Sequence, residues 1–171
     1  VGDNGTPGTA TTLPSFPGQA KGTVFDGGIN VPLLVVGPQV RKPGSECQAL
    51  VNTTDLFATV LELAGASLPR GTDSVSLVPY LHDPTRPSLR RWIYAERFKP
   101  HGFGPFTEQR RAVRDERYKL VTETFEGSPP TERFHDLWTD PTETGNLLPG
   151  PLTDVQQVHY DRLTARLSSL R

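Results

Sequence analysis

The residues best equipped for chemistry sit near the start of the chain. Asp3-Asn4-Gly5 sets a carboxylate beside a side-chain amide oxygen, both hard donors suited to calcium. The same tripeptide is also a common turn, because Asn-Gly accepts positive φ at little cost. Two ligands fall short of the roughly six to eight oxygens that calcium takes, so a metal site here needs donors from elsewhere. The second candidate is Lys21, which opens the run Lys21-Gly22-Thr23-Val24-Phe25-Asp26-Gly27-Gly28-Ile29-Asn30-Val31-Pro32. An ammonium before a glycine-rich turn is either a solvated surface charge or a point charge held out toward an anion. Neither segment decides between its two readings alone.

The elements that must position these residues are read from periodicity. Residues 5–20 hold mostly Gly, Pro, Thr and Ser and predict a loop. Ile29 to Val36 is apolar and β-branched and predicts a buried strand, with Pro32 near its start. Leu56, Val60, Leu63 and Ala64 repeat at helical spacing, with Thr53 or Thr54 as cap and Gly65 as stop. Ser74 to Leu81 predicts a short helical turn, and the proline-bearing stretch from Asp83 to Ser88 a boundary. Beyond it, Trp92 to Phe98, Arg110 to Arg114, Tyr118 to Thr124 and Glu132 to Leu137 read as short strands, with Asp115-Glu116-Arg117 as a tight turn. Val155, Val158, Leu163, Leu167 and Leu170 mark one face of a closing helix. His82, His135 and His159 lack zinc-like spacing and read as packing or surface residues, and Trp92 and Trp138 as core or interface.

The bulk numbers narrow the classes of function. The chain has 171 residues and a net charge of -1, so no basic excess points to nucleic acid. No apolar run approaches the roughly 18 residues that a membrane span needs. Its 17 prolines and 16 glycines imply a fold stitched together by turns. A single cysteine, Cys47, excludes an internal disulfide. Only Val1 and Gly2 precede the Asp-Asn-Gly turn, so most of the strand feeding it is expected upstream, in a longer chain.

Taken in order, the motifs resemble the sulfatase family of the alkaline phosphatase superfamily. The landmarks are Asp3-Asn4-Gly5, then Lys21-Gly22-Thr23 with an aromatic, an acid, Gly27-Gly28 and Val31-Pro32. Next come Asn52-Thr53-Thr54-Asp55-Leu56-Phe57, Asp73-Ser74-Val75-Ser76-Leu77, and Arg111 to Arg114 with Tyr118-Lys119-Leu120. Phe134-His135-Asp136-Leu137, Asp140-Pro141-Thr142-Glu143 and Asn146-Leu147 complete the series. Asn30 stands where many members have Arg, and Phe134-His135 where they have Leu-Tyr.

The resemblance implies an α/β fold. Residues 1–84 would be the C-terminal part of an alkaline-phosphatase-like catalytic domain, and residues 85–171 a small antiparallel sheet packed with a C-terminal helix. It implies that Asp3 and Asn4 bind calcium and that Lys21 contacts the sulfate of a sulfate-ester substrate, an aryl sulfate or a sulfated glycan. It implies a formylglycine nucleophile from a Cys/Ser-x-Pro-x-Arg motif. Cys47 does not fit that motif, and Ser15-Phe16-Pro17-Gly18-Gln19 ends in Gln where Arg is required. The nucleophile is therefore expected in an N-terminal portion, which would be the chain's partner; alone, the chain is expected to be inactive and to bind calcium weakly. A periplasmic or secreted location follows by the same resemblance. The alternatives are a phosphonate or phosphate ester hydrolase of the same superfamily, or a non-catalytic binding module.

Overall fold

The computed structural model describes residues 1–12 and 17–170. The near-miss nucleophile motif falls partly outside these, at Ser15 and Phe16. The chain forms two compact units, which cut across the boundary expected near residue 84. One joins Val1–Leu33 to Tyr94–Arg171, and the other is Leu34–Ile93.

The first unit is built on a four-stranded sheet in the order β1-β2-β3-β4, with β1 Ile93–Lys99, β2 Glu108–Arg114, β3 Tyr118–Phe125 and β4 Thr131–Asp136. β2 and β4 both run antiparallel to β3. The register places Arg114 opposite Lys119, and Lys119 opposite His135. Alternation along the strands then sorts residues onto two faces. Val113, Leu120 and Phe134 share one face and are fully buried. The helix α4, Asp154–Ser169, covers it. Thr153 and Gln156 form a reciprocal capping box at its start, which fixes the entry of the helix onto the sheet.

The docking face of α4 differs from the expected one. Val155 and Val158 are exposed, while His159, Tyr160, Leu163 and Leu167 face the sheet. His159 Nδ1 lies 2.5 Å from Asp115 Oδ2 and its ring lies against Tyr118; Tyr160 donates to Glu132 Oε2 at 2.6 Å. These polar tethers rotate the first turns of the helix away from its valines. Trp138, expected in the core or at an interface, is exposed at 68% and carries the Arg117 guanidinium over its ring. Arg117 is held there by a two-pronged pair with Asp136, which keeps the Asp136 carboxyl below the usual carboxylate range.

The opposite face of the sheet carries Ala112, Arg114, Lys119, Val121, Arg133 and His135. It is covered by the segment that follows Lys21. Val24 and Phe25 pack with Ala112 and Val121. Phe25 meets His135 edge-on, with Arg133 over its ring. The sheet is thus buried on both faces.

The strand expected over Ile29 to Val36 does not form. Ile29 ends a short helix, α1, Asp26–Ile29, and no strand pairs with the residues after it among the described residues. Gly2 N donates to Pro32 O at 3.0 Å, which brings the two extended segments side by side without building a ladder. Leu34 and Val36 are 84% and 96% exposed. An apolar run becomes a strand only where neighbours take up its N–H and C=O groups.

The second unit holds α2, Asp55–Leu63, and α3, Val78–His82. Helical spacing located α2, but its buried face is Asp55, Ala58 and Thr59, with Phe57, Val60 and Leu63 exposed. The landmark residues Asp55 and Ser74 act here as a polar clamp. Asp55 accepts from Asn52 N, Val75 N and the Arg90 guanidinium. Ser74 Oγ accepts from Ala58 N at 2.9 Å and donates to Thr54 O at 2.7 Å. Thr59 Oγ1 accepts from Leu77 N at 2.9 Å. Loop backbone that would otherwise be buried without partners is satisfied in this way.

Candidate active site

Asp3-Asn4-Gly5 and the segment from Lys21 to Gly28 form one backbone knot inside the first unit. Gly5 N donates to Gly28 O at 2.9 Å and Thr6 N to Gly27 O at 3.2 Å. Lys21 N donates to Thr6 O at 2.8 Å. The lysine thus follows a chain crossing two residues past Asn4. Asp3, Asn4 and Lys21 are all exposed at the surface of this knot. Asn4 Nδ2 donates to Asp3 Oδ2 at 2.6 Å, which aligns the amide with the carboxylate. That bond uses the amide nitrogen and one carboxylate oxygen, so Oδ1 of each residue remains as a hard donor.

Glycine is required where the strands of the knot touch. A Cβ on Gly5 would lie 2.1 Å from Gly27 O and 2.7 Å from the Gly28 backbone. Backbone atoms at that distance have to move. Gly5→Ala is expected to destabilise the chain by about 1–3 kcal/mol, the usual cost of overpacking. Gly18→Ala, where a Cβ meets nothing within 4 Å, serves as the neutral control. Urea midpoints for the pair check this; equal midpoints would refute the close approach.

Below the knot lies a cluster of charge that the sequence reading did not assemble. Lys119 is fully buried. Its Nζ sits 2.6 Å from Asp26 Oδ1 and 2.8 Å from Glu143 Oε1. Arg114 reaches Asp26 Oδ2 at 3.2 Å, and Asn30 Nδ2 donates to the same oxygen at 3.3 Å. Glu143 is 2% exposed, and burial pushes its carboxyl up against the opposing pull of Lys119. Its Oε2 accepts from Asp26 N at 2.5 Å, and its carbonyl accepts from Gln19 Nε2 at 2.5 Å. Asp26, Lys119 and Glu143 each belong to a sequence landmark, yet Asp26 lies more than ninety residues from either of the others in the chain. Linear spacing carries no signal for such a meeting; a lysine set among Tyr118, Leu120 and Val121 in a strand candidate was the available hint.

His135, beside this cluster, donates through Nδ1 to Gly145 O at 2.7 Å, and burial holds its pKa below the ordinary imidazole value. A cleft of about 250 Å³ opens between the knot and the Pro141–Glu143 turn, lined by Thr6, Thr11, Thr12, Gln19 and Thr142 among others. Among the described residues no group of three or more His, Cys, Asp or Glu is arranged to hold a metal ion. No described helix is long and apolar enough to cross a membrane.

Residues 19–171 match the family model for the C-terminal part of N-sulphoglucosamine sulphohydrolase. The chain belongs to the sulfatase family. This sulfatase chain is 30% identical to an ulvan-active sulfatase of Formosa agariphila over 156 residues, which is 77% of the chain and 31% of that relative. It is 30% identical to a Δ4,5-hexuronate-2-O-sulfatase of Bacteroides thetaiotaomicron over 129 residues, covering 74% of the chain and 26% of the relative. A solved structure assigned as a sulfatase, from the same Bacteroides species, superposes on 88% of the chain and 30% of its own length, with 27% identity and a TM-score of 0.65. The chain therefore spans about a third or less of the relatives it matches. Its fold is the α/β fold of the sulfatases, in their C-terminal part, with the four-stranded sheet and closing helix expected from sequence.

Proposed function

We propose that this chain is the C-terminal part of an enzyme that hydrolyses sulfate esters, with a sulfated glycan as substrate class. The reading is carried by the knot that joins the Asp3-Asn4-Gly5 turn to the Lys21 loop through Thr6 O and Lys21 N. In this proposal Asp3 Oδ1 and Asn4 Oδ1 are two ligands of a calcium ion, and the remaining donors come from the N-terminal portion. The donor set fits a hard cation: both residues are exposed, both offer oxygen, and neither is committed to a cationic partner in an observed pair. Bound calcium would supply positive charge against the sulfuryl oxygens. Lys21 adds an ammonium that holds a sulfate oxygen or gives a proton to the departing alkoxide. The nucleophile, by resemblance a formylglycine, is assigned to the upstream portion.

Two relatives are named for carbohydrate substrates, one for ulvan and one for a Δ4,5-hexuronate carrying a 2-O-sulfate. The threonine-lined cleft beside the knot supports the same class here, since hydroxyls and an amide suit a hydroxylated ligand better than an apolar one. The test is sulfate release by the full-length protein from sulfated oligosaccharides, from a simple aryl sulfate and, in parallel, turnover of a phosphonate monoester, each with and without a calcium chelator. Chelator-sensitive sulfate release favouring the oligosaccharides is expected. Faster turnover of the phosphonate would overturn the reading.

A further inference from the structure

We propose that Glu143, with Lys119 and Asp26, is a positioning device that sets where the Lys21 ammonium stands. This rests on the sulfate-contacting reading of Lys21. The geometry is a staple. Glu143 grips the chain two residues before Lys21, through its carbonyl and Gln19 Nε2, and five residues after it, through its carboxylate and Asp26 N. The bracketed segment is further closed on itself by Thr23, whose N and Oγ1 both donate to Ala20 O. Lys119 then ties the two carboxylates, of Asp26 and Glu143, to the middle of the sheet. The exposed Lys21 therefore rides on a loop whose two ends are fixed by one buried residue.

Two features point to positioning rather than bulk stability. Buried ion pairs stabilise a fold little better than apolar residues of the same size, but charge-assisted hydrogen bonds are directional and set a geometry. Glu143 also holds φ of 56°, the left-handed region that non-glycine residues rarely adopt, and Glu143 is the non-glycine residue found there among the described residues. Such a conformation costs about 1–3 kcal/mol and persists where the surroundings over-determine it, commonly at functional sites.

A kinetic double-mutant cycle in the full-length protein tests this with Glu143→Gln and Lys21→Ala. Glu143→Gln keeps the size and an acceptor for Asp26 N but removes the charge that Lys119 faces. On the native background it is expected to lower kcat/KM for a sulfate ester roughly 10- to 100-fold, the scale of a misplacement near 1 Å. On the Lys21→Ala background it should cost less than about twofold, because the group it positions is gone. A penalty equal on both backgrounds means a general folding defect and overturns the inference while leaving Lys21 its role. A Lys21→Ala enzyme with an unchanged rate removes that role, and this inference with it. Should Glu143→Gln not fold, Asp26→Asn, at the half-buried edge of the same cluster, completes the cycle with the same expected outcomes.

Discussion

On the proposed reading, Lys21→Ala is expected to lower kcat for sulfate-ester hydrolysis by the full-length protein about 10²- to 10³-fold, the usual loss when one preorganised charge or donor at a developing anion is removed. The folded state survives, because the side chain is exposed and the loop is held by backbone bonds that alanine keeps. Unfolding midpoints are expected to agree with the native protein within about 0.5 kcal/mol, as for ordinary surface substitutions. Lys21→Arg retains charge but spreads it over a planar fork, so it rescues only part of the loss. Activity measured beside a urea titration separates the two quantities. A rate within threefold of native would end the assignment of Lys21 to the sulfate.

Lys119→Met carries the largest expected cost in stability, about 3–5 kcal/mol at pH 8, since removing one partner strands a buried opposite charge. The charge left stranded is that of Glu143. Asp26 keeps Arg114 and Asn30, whereas Glu143 loses the ammonium at 2.8 Å that opposes the effect of burial. Its pKa, already raised by burial, then rises further. The sign of the pH dependence follows. A carboxyl whose folded pKa lies above its unfolded value of about 4.3 binds more protons in the folded state. Stability of the variant therefore rises as pH falls through the folded pKa toward that unfolded value. The deficit relative to the native chain should shrink measurably between pH 8 and pH 5.5. Urea midpoints at the two pH values check it; a deficit of the same size at both would show that a neutral Glu143 does not relieve the site.

Both predictions concern residues within landmarks that linear spacing flagged, but the sequence revealed them unequally. Lys21 stood out because it precedes a glycine-rich turn after an Asp-Asn-Gly, a local pattern. Lys119 and Glu143 sat inside Tyr-Lys-Leu and Asp-Pro-Thr-Glu patterns whose use was invisible, because their partner Asp26 is distant in the chain. The antiparallel strands were legible from alternation, and the closing helix from its apolar spacing. The strand over Ile29 to Val36 was not, because strand formation depends on neighbours that no local pattern supplies. The faces of α2 and α4 were misjudged for one shared reason. In each helix, hydrogen-bonding groups such as buried Asp55 and Thr59 and half-buried His159 outweighed exposed valines in choosing the face, and a hydrophobic period does not count such partners.

The amino-acid sequence by itself determined the family, the sheet and the closing helix, because order of motifs and short-range periodicity are properties of the linear chain. The tertiary structure alone decided which charges meet under the Lys21 loop and which glycines must lack a side chain. Those facts depend on distances between segments far apart in sequence, and such distances exist only once the backbone has closed on itself.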